Sequence, residues 1–457
     1  MLPGIGTVTK LTSAFRRVSR LLQVILPILL GSLALVLVLN GLSGLDGLAS
    51  AAPVDSPQTT VLDQTVAAII SQVTTLTLEY ELAGLTGQRP VTVAGSIYTI
   101  TSRYSRNTDE ISMATRYAYE QFAGYGLVVT YHNYSWSGYP LRNVVAEKLG
   151  LVGPDQIYLI TAHVDDLPAG PLAPGADDNG SGSVAVLTAA RLLAPHDFAH
   201  TLRFVLFTGE EQGLRGSAAY AAECAARGEN IEGVVNLDMI GYNTGEPGFD
   251  AYARSGSQAG APESRRLADV FSNVVGIYDL NLVPQRIDSD SYPLRHGSDQ
   301  WSFLEHGYPA FLVIEDMDDF TPYYHSVSDT LATLDLEYYA DFTRAAVATI
   351  AHLGQLVPRG HLSGTIYALD TGRALSASVH AFASTYHYTF TAVTGADGQY
   401  FLSFPVGNYT LTVRPSLPGY YPATITDVFV VTDTVTVLDV PLAPWARVYL
   451  PWIVRER

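Results

Sequence analysis

Five short stretches of this sequence carry the side chains from which a metal site or a proton-transfer site can be built. Ile157-Tyr-Leu-Ile-Thr-Ala-His163-Val-Asp165 is an apolar run that delivers a histidine and, two positions later, an acid. Pro174-Gly-Ala-Asp177-Asp178-Asn179-Gly-Ser-Gly is a turn-rich loop with two acids at its centre. Leu202-Arg-Phe-Val-Leu-Phe-Thr208-Gly-Glu210-Glu211-Gln-Gly213 ends a second apolar run with adjacent glutamates, and Val234-Val-Asn-Leu-Asp238 ends a third with an aspartate. The last stretch is Thr321-Pro-Tyr-Tyr-His325-Ser-Val-Ser-Asp329-Thr330. Taken singly, none decides anything. A lone histidine at a strand end is ordinarily a hydrogen-bonded structural residue, and Asp178 and Asn179 alone read as turn and N-cap chemistry. Glu210 and Glu211 are different: two adjacent carboxylates leaving an apolar strand repel each other and lose hydration unless a cation or a shared proton offsets the cost. Asp238 raises the same question. Together they point to a cation held by imidazole and carboxylate groups.

Composition narrows the chemistry further. The chain has 457 residues, 26 Lys+Arg against 44 Asp+Glu, and one cysteine. An acidic balance with no long basic cluster argues against a nucleic-acid partner, which requires concentrated positive charge. A single Cys224 permits neither an intrachain disulfide nor a cysteine-based zinc cluster, so any metal is held by His, Asp and Glu. No Gly-x-Ser-x-Gly elbow occurs, and Cys224 lies within a helical pattern, so serine and cysteine nucleophiles are weak readings.

These residues need a scaffold that gathers strand ends. Apolar residues at helical spacing predict helices over 66–78, 111–125, 183–193, 214–227, 264–274 and 336–353. Between them, short apolar runs predict buried strands over 127–131, 143–146, 157–161, 202–208, 234–237 and 310–314. Alternation of this kind implies an α/β layer structure around a mostly parallel sheet, whose ligands collect at the carboxyl ends of the strands. Four of the five stretches fall at or just beyond such ends.

The set of segments from about residue 64 to 356 resembles the co-catalytic zinc exopeptidase family that includes bacterial leucyl aminopeptidase, aminopeptidase Y and the glutamate carboxypeptidases. The likeness is carried by Ala162-His163-Val-Asp165, Gly175-Ala-Asp177-Asp178-Asn179-Gly-Ser-Gly182, Gly209-Glu210-Glu211-Gln-Gly213 and the segment ending at Asp329-Thr330. It implies a three-layer α/β/α domain over 62–357 with two zinc ions. His163 and Asp238 would serve one zinc, Glu211 and His325 the other, and Asp177 would bridge them. Glu210 would be the general base, and Asp165 would accept the other N–H of His163. A cis peptide between Asp177 and Asp178 is also implied. The implied substrate is a peptide with a free N-terminus, with a carboxypeptidase or dipeptidase, or a glutaminyl cyclase-like zinc transferase, as the alternatives. Tyr292 and Arg295 are candidate oxyanion donors, in a segment where Gln300 replaces the family's histidine.

Outside that domain the chain changes character. Lys10, Arg16, Arg17 and Arg20 precede an uncharged apolar run over 21–45 and then Ala49-Ser50-Ala51, which reads as an export segment (1–52), either a cleaved signal or an uncleaved membrane anchor. Both place the remainder outside the cell or on its surface. A Pro/Ser/Thr-rich linker (53–61) follows. From 361 to 442, alternating residues punctuated by Asp370-Thr-Gly372, Gly395-Ala-Asp397-Gly398 and Val406-Gly-Asn408 predict a small all-β sandwich resembling the regulatory-like module of carboxypeptidases. It carries no recognisable chemistry and reads as a spacer or stability module. A tail (443–457) completes the chain.

Overall fold

The computed structural model describes residues 60–291, 296–386, 388–432 and 434–445. The export segment, most of the linker, Tyr292, Arg295 and nearly all of the tail lie outside the described residues. Among the described residues, no helix is long and apolar enough to cross a membrane.

In chain order the α/β part comprises α1 (Gln64–Ile70), α2 (Thr75–Leu85), β1 (Val91–Val93), β2 (Ser96–Tyr98), α3 (Thr108–Gly124), β3 (Val128–Trp136), β4 (Tyr139–Lys148) and β5 (Gly153–His163). A wide helical turn (Ala176–Ser181) leads into α4 (Gly182–Leu193). There follow β6 (His200–Phe207), α5 (Arg215–Arg227), β7 (Asn230–Leu237), β8 (Gly248–Arg254), α6 (Ala261–Ile277), β9 (Val283–Ser289), α7 (Gln300–Glu305), β10 (Ala310–Glu315) and α8 (Leu336–Gly354).

The sheet has eight strands in the order β3-β4-β6-β5-β7-β10-β8-β9. Its centre, β6-β5-β7-β10, is parallel, while β3-β4, β4-β6 and β10-β8 pair antiparallel. The expected layer structure is present, with a more mixed sheet at both margins. Successive residues of β10 point alternately to two cores: Phe311 and Val313 join Val184, Phe271 and Phe342 on one face, while Leu312 and Ile314 join Tyr220, Phe207 and Phe303 on the other. This double-sided burial is why the central strands read as continuous apolar runs.

Several elements differ from the sequence expectation, the short β1, β2 and α7 among them. The helix expected over 66–78 is two helices, because the Thr74 hydroxyl caps a new start by accepting the Thr77 N–H. Strands β8 and β9 were not anticipated. The outermost, β9, is largely exposed and carries Pro284, so it has neither a two-sided apolar run nor regular alternation.

The C-terminal sandwich comprises β11 (Arg359–Ala368), β12 (Ala377–Ala383), β13 (Tyr388–Val393), β14 (Gln399–Pro405), β15 (Gly407–Pro415), β16 (Ala423–Val430), β17 (Val435–Val437) and β18 (Val440–Leu442). Two four-stranded sheets enclose Leu362, Val379, Phe404, Leu411 and Val413. The module joins the α/β part beside the start of β6: Arg359 Nε donates to Asp197 Oδ2 at 2.6 Å, and Val357 N donates to Asp197 O at 2.8 Å. The sandwich is therefore seated at the opposite end of β6 from Glu210 and Glu211.

Candidate metal centre

Parallel pairing of β6, β5 and β7 brings their carboxyl ends to one edge, and each end hands over a polar side chain. His163 is the last residue of β5, Asp238 follows β7 directly, and Glu210 and Glu211 follow β6 after Gly209. Gly209 turns the chain there: its φ is +73°, and a Cβ would lie 2.7 Å from the Tyr134 hydroxyl.

Three carboxylates and two imidazoles converge. His163 Nε2 lies 3.3 Å from Asp238 Oδ1 and 3.4 Å from Asp178 Oδ1. The second oxygen of Asp178 lies 3.2 Å from His325 Nε2, which is also 3.0 Å from Glu211 Oε2. Asp178 thus stands between two imidazoles, one oxygen toward each. His163, Asp178 and Glu211 each offer an atom within 4.8 Å of the others. His325 is the most open of the five, with 33% of its side chain exposed against 8% or less for the rest. The Tyr324 ring stacks on it at 3.6 Å between centroids.

Three expectations are corrected here. Asp177 does not reach the cluster; the residue between the imidazoles is Asp178. Asp177 points the other way, its Oδ1 accepting from Gly241 N at 2.8 Å and from Ser181 Oγ at 3.2 Å, with Glu315 beside it. The cis peptide follows Asp178 rather than preceding it, joining Asp178 to Asn179. Asp165 also acts differently from its implied role. His163 Nδ1 lies 3.0 Å from the Asp165 main-chain oxygen, while the nearest carboxylate oxygen is 3.8 Å away. That carboxylate instead accepts from Ser105 Oγ at 2.9 Å and from Glu210 N at 3.3 Å.

The electrostatics are those of a site built for cations. Burial, then the neighbouring Asp178, pushes the Glu211 carboxyl up to about 8. Burial raises Glu210 well above the ordinary range; His163 opposes this, while Asp299, Asp238 and Glu211 add to it. Burial alone would lower both histidines. Asp238 and Glu210 nevertheless hold His163 well above its usual value, and Asp178 and Glu211 bring His325 to about 10. Glu211 Oε1 is buried without a hydrogen-bond partner. Imidazole nitrogens and carboxylate oxygens facing one another in a buried pocket are the donor set that zinc accepts, so the residues present fit such an ion.

Several supporting residues were not singled out from sequence. Asp329 accepts the N–H groups of Asp177 and Asp178 at 2.9 and 3.0 Å. Buried Asp299 faces the same charges as Glu210; burial pushes it up to about 7 against the pull of His163. Fully buried Arg103 donates to Val164 O, Pro174 O, Gly175 O and Leu85 O, and pairs with Asp166 at 3.3 Å. Acids at turns and a lone arginine give no periodic signal, and their partners lie many residues away.

Residues 143–350 match the family model described as peptidase family M28. The chain carries a peptidase family M28 domain. Residues 361–443 match the carboxypeptidase regulatory-like domain. The M28 region is similar to a probable zinc metalloprotease of Pyricularia oryzae, at 30% identity over 238 residues (45% of this chain, 47% of that protein). It is also similar to a probable leucine aminopeptidase 1 of Trichophyton verrucosum, at 29% identity over 245 residues (50% and 62%). A probable zinc metalloprotease of Pyrenophora teres f. teres is 27% identical over 250 residues (47% and 52%). The chain spans about half the length of the curated relatives it matches. Among solved structures, the M28 fold is shared with the LapA aminopeptidase of Legionella pneumophila, with a TM-score of 0.53, 21% identity, and 67% of this chain and 78% of that one covered.

Proposed function

We propose that this chain is an exported zinc aminopeptidase with two metal positions that share Asp178. The observation that carries the reading is the Asp178 carboxylate, whose two oxygens face two different imidazoles, each with a further carboxylate beside it. His163, Asp178 and Asp238 would hold one zinc, and His325, Glu211 and Asp178 the other. Zinc in such a site acidifies water toward neutral pH and polarises a carbonyl.

The remaining work falls to the protein. Glu210 follows β6 beside the ligand Glu211, so its carboxylate takes the proton of the attacking water and returns it to the leaving amine. Its burial among other acids keeps its proton affinity high, which suits a group that must first accept and then donate. Asp165 O fixes the orientation of the His163 ring through Nδ1. The curated leucine aminopeptidase relative supports a peptide substrate with an unblocked N-terminus. Export rests on the basic and apolar pattern of residues 1–52.

Hydrolysis of aminoacyl p-nitroanilides beside N-acetylated and C-amidated peptides tests the reading. Cleavage of free-amine substrates only, abolished by chelator and restored by zinc, is expected. Equal cleavage of N-acetylated peptides would refute the aminopeptidase assignment.

A further inference from the structure

The backbone that carries Glu210 is held by side chains. Three successive N–H groups leave the end of β6, and each is bound by a buried side chain from a different part of the chain. Thr208 N donates to Asn143 Oδ1 at 3.0 Å, Gly209 N to Ser105 Oγ at 2.8 Å, and Glu210 N to Asp165 Oδ1 at 3.3 Å. The Thr208 carbonyl accepts from the Tyr134 hydroxyl at 2.6 Å. Beyond Glu210 the chain closes on itself, with Gly213 N and Leu214 N donating to Glu210 O.

Ser105 is the link in this set. Its hydroxyl accepts from Gly209 N and donates to Asp165 Oδ2 at 2.9 Å, so one oxygen joins the Glu210 loop to the Asp165 carboxylate. Asp165 in turn presents its main-chain oxygen to His163 Nδ1. The path from a ligand imidazole to the loop of the base therefore runs His163, Asp165, Ser105, Gly209, with Ser105 and Asp165 both fully buried. Ser105 lies in the loop between β2 and α3, distant in sequence from both.

We propose that Ser105 is a positioning residue that fixes the Glu210 carboxylate relative to the His163 metal position, an inference that rests on Glu210 acting as the base. The hydroxyl both donates and accepts, so alanine removes both bonds at once. Gly209 then loses the side-chain hydrogen bond on its N–H at the point where its left-handed backbone sets the direction of Glu210.

The test compares Ser105→Ala, Glu210→Gln and the double variant in the zinc-loaded full chain, with kcat, KM, zinc content and amide hydrogen exchange at 209–210 measured for each. Ser105→Ala is expected to lower kcat on the order of 10-fold to 100-fold. KM should stay within about twofold, zinc content should be unchanged, and exchange at 209–210 should accelerate even in the metal-free protein. In the Glu210→Gln background it is expected to cost nothing further, because residues acting as one unit are not additive. Should the alanine variant not fold, Ser105→Cys replaces it, keeping the volume with a poor donor and acceptor, and the same results are expected. Unchanged kcat, a loss of zinc in proportion to activity, or independent losses in the double variant overturns the proposal. Full activity in Glu210→Gln alone overturns instead the assignment of the base, and the exchange rates still report whether Ser105 holds the loop.

Discussion

Asp329 Oδ2 accepts the main-chain N–H of Asp178 at 3.0 Å. With Oδ1 taking the N–H of Asp177, the late loop clamps the two residues whose order decides which carboxylate enters the metal cluster. Asp329→Ala should therefore weaken zinc binding about 10-fold to 100-fold, as loss of an outer partner of a metal ligand does. Chelator competition against the folded variant measures it, and an unaltered zinc affinity would show that Asp178 is held without Asp329.

Adjacent aspartates have opposite fates. Asp178→Asn removes the shared carboxylate and should lower kcat/KM on the order of 10³-fold, consistent with the several kcal/mol that metal-centred charge stabilisation supplies. Asp177→Asn retains an oxygen for Gly241 N and should keep its zinc, with stability changed by about 1–3 kcal/mol. Zinc content and kcat/KM of the two purified variants distinguish them; equal losses in both would contradict the placement.

The metal-free protein should lose stability as pH rises. Glu211 and Asp329 are each raised to about 8, in both cases by burial first and then by neighbouring acids, Asp178 for the former and Asp177 for the latter. A carboxyl raised in the folded state contributes stability that is present below its unfolded value, near 4–4.5, and is lost as pH rises through about 8. His325, held up to about 10 by Asp178 and Glu211 despite its burial, acts in the same direction between about 6.5 and 10. Zinc would displace the protons of Glu211 and His325, so its stabilising effect should grow over the same window. Thermal unfolding with chelator and with zinc at pH 5.5 and pH 8 tests this; a metal-free protein more stable at pH 8 would contradict it.

Arg103 ties the chain after β5 to the loop before Asp177. Its guanidinium donates to four carbonyls and pairs with Asp166, all without solvent access. Arg103→Lys cannot reproduce that fork and leaves Asp166 poorly matched, so a loss of about 3–5 kcal/mol is expected in denaturant unfolding. A loss under 1 kcal/mol would mean that the loop is fixed by other contacts.

Much of this was legible in the sequence because each central strand is buried on both faces. Ile157–Thr161 and Val234–Leu237 read as apolar runs, and the residue that breaks each run, His163 or Asp238, is thrown to the same edge by parallel pairing. The choice between Asp177 and Asp178 was not legible. Both are acids in one turn, and which one faces His163 is set by the turn's backbone and by Asp329, some 150 residues away. Strand β9 was hidden because an exposed edge strand has no core to imprint a pattern. Ser105 and Arg103 were hidden because their partners are brought to them only by the finished fold.

If Asp178 is shared by two metal positions, its loss must cost the chain one of them. The most direct test is a zinc titration of the metal-free chain, followed by hydrolysis of a free-amine aminoacyl substrate at each step. Saturation at two zinc ions per chain is expected in the native protein, with loss of the second in Asp178→Asn. Saturation at one zinc with full activity, or two zinc ions retained in Asp178→Asn, would contradict it.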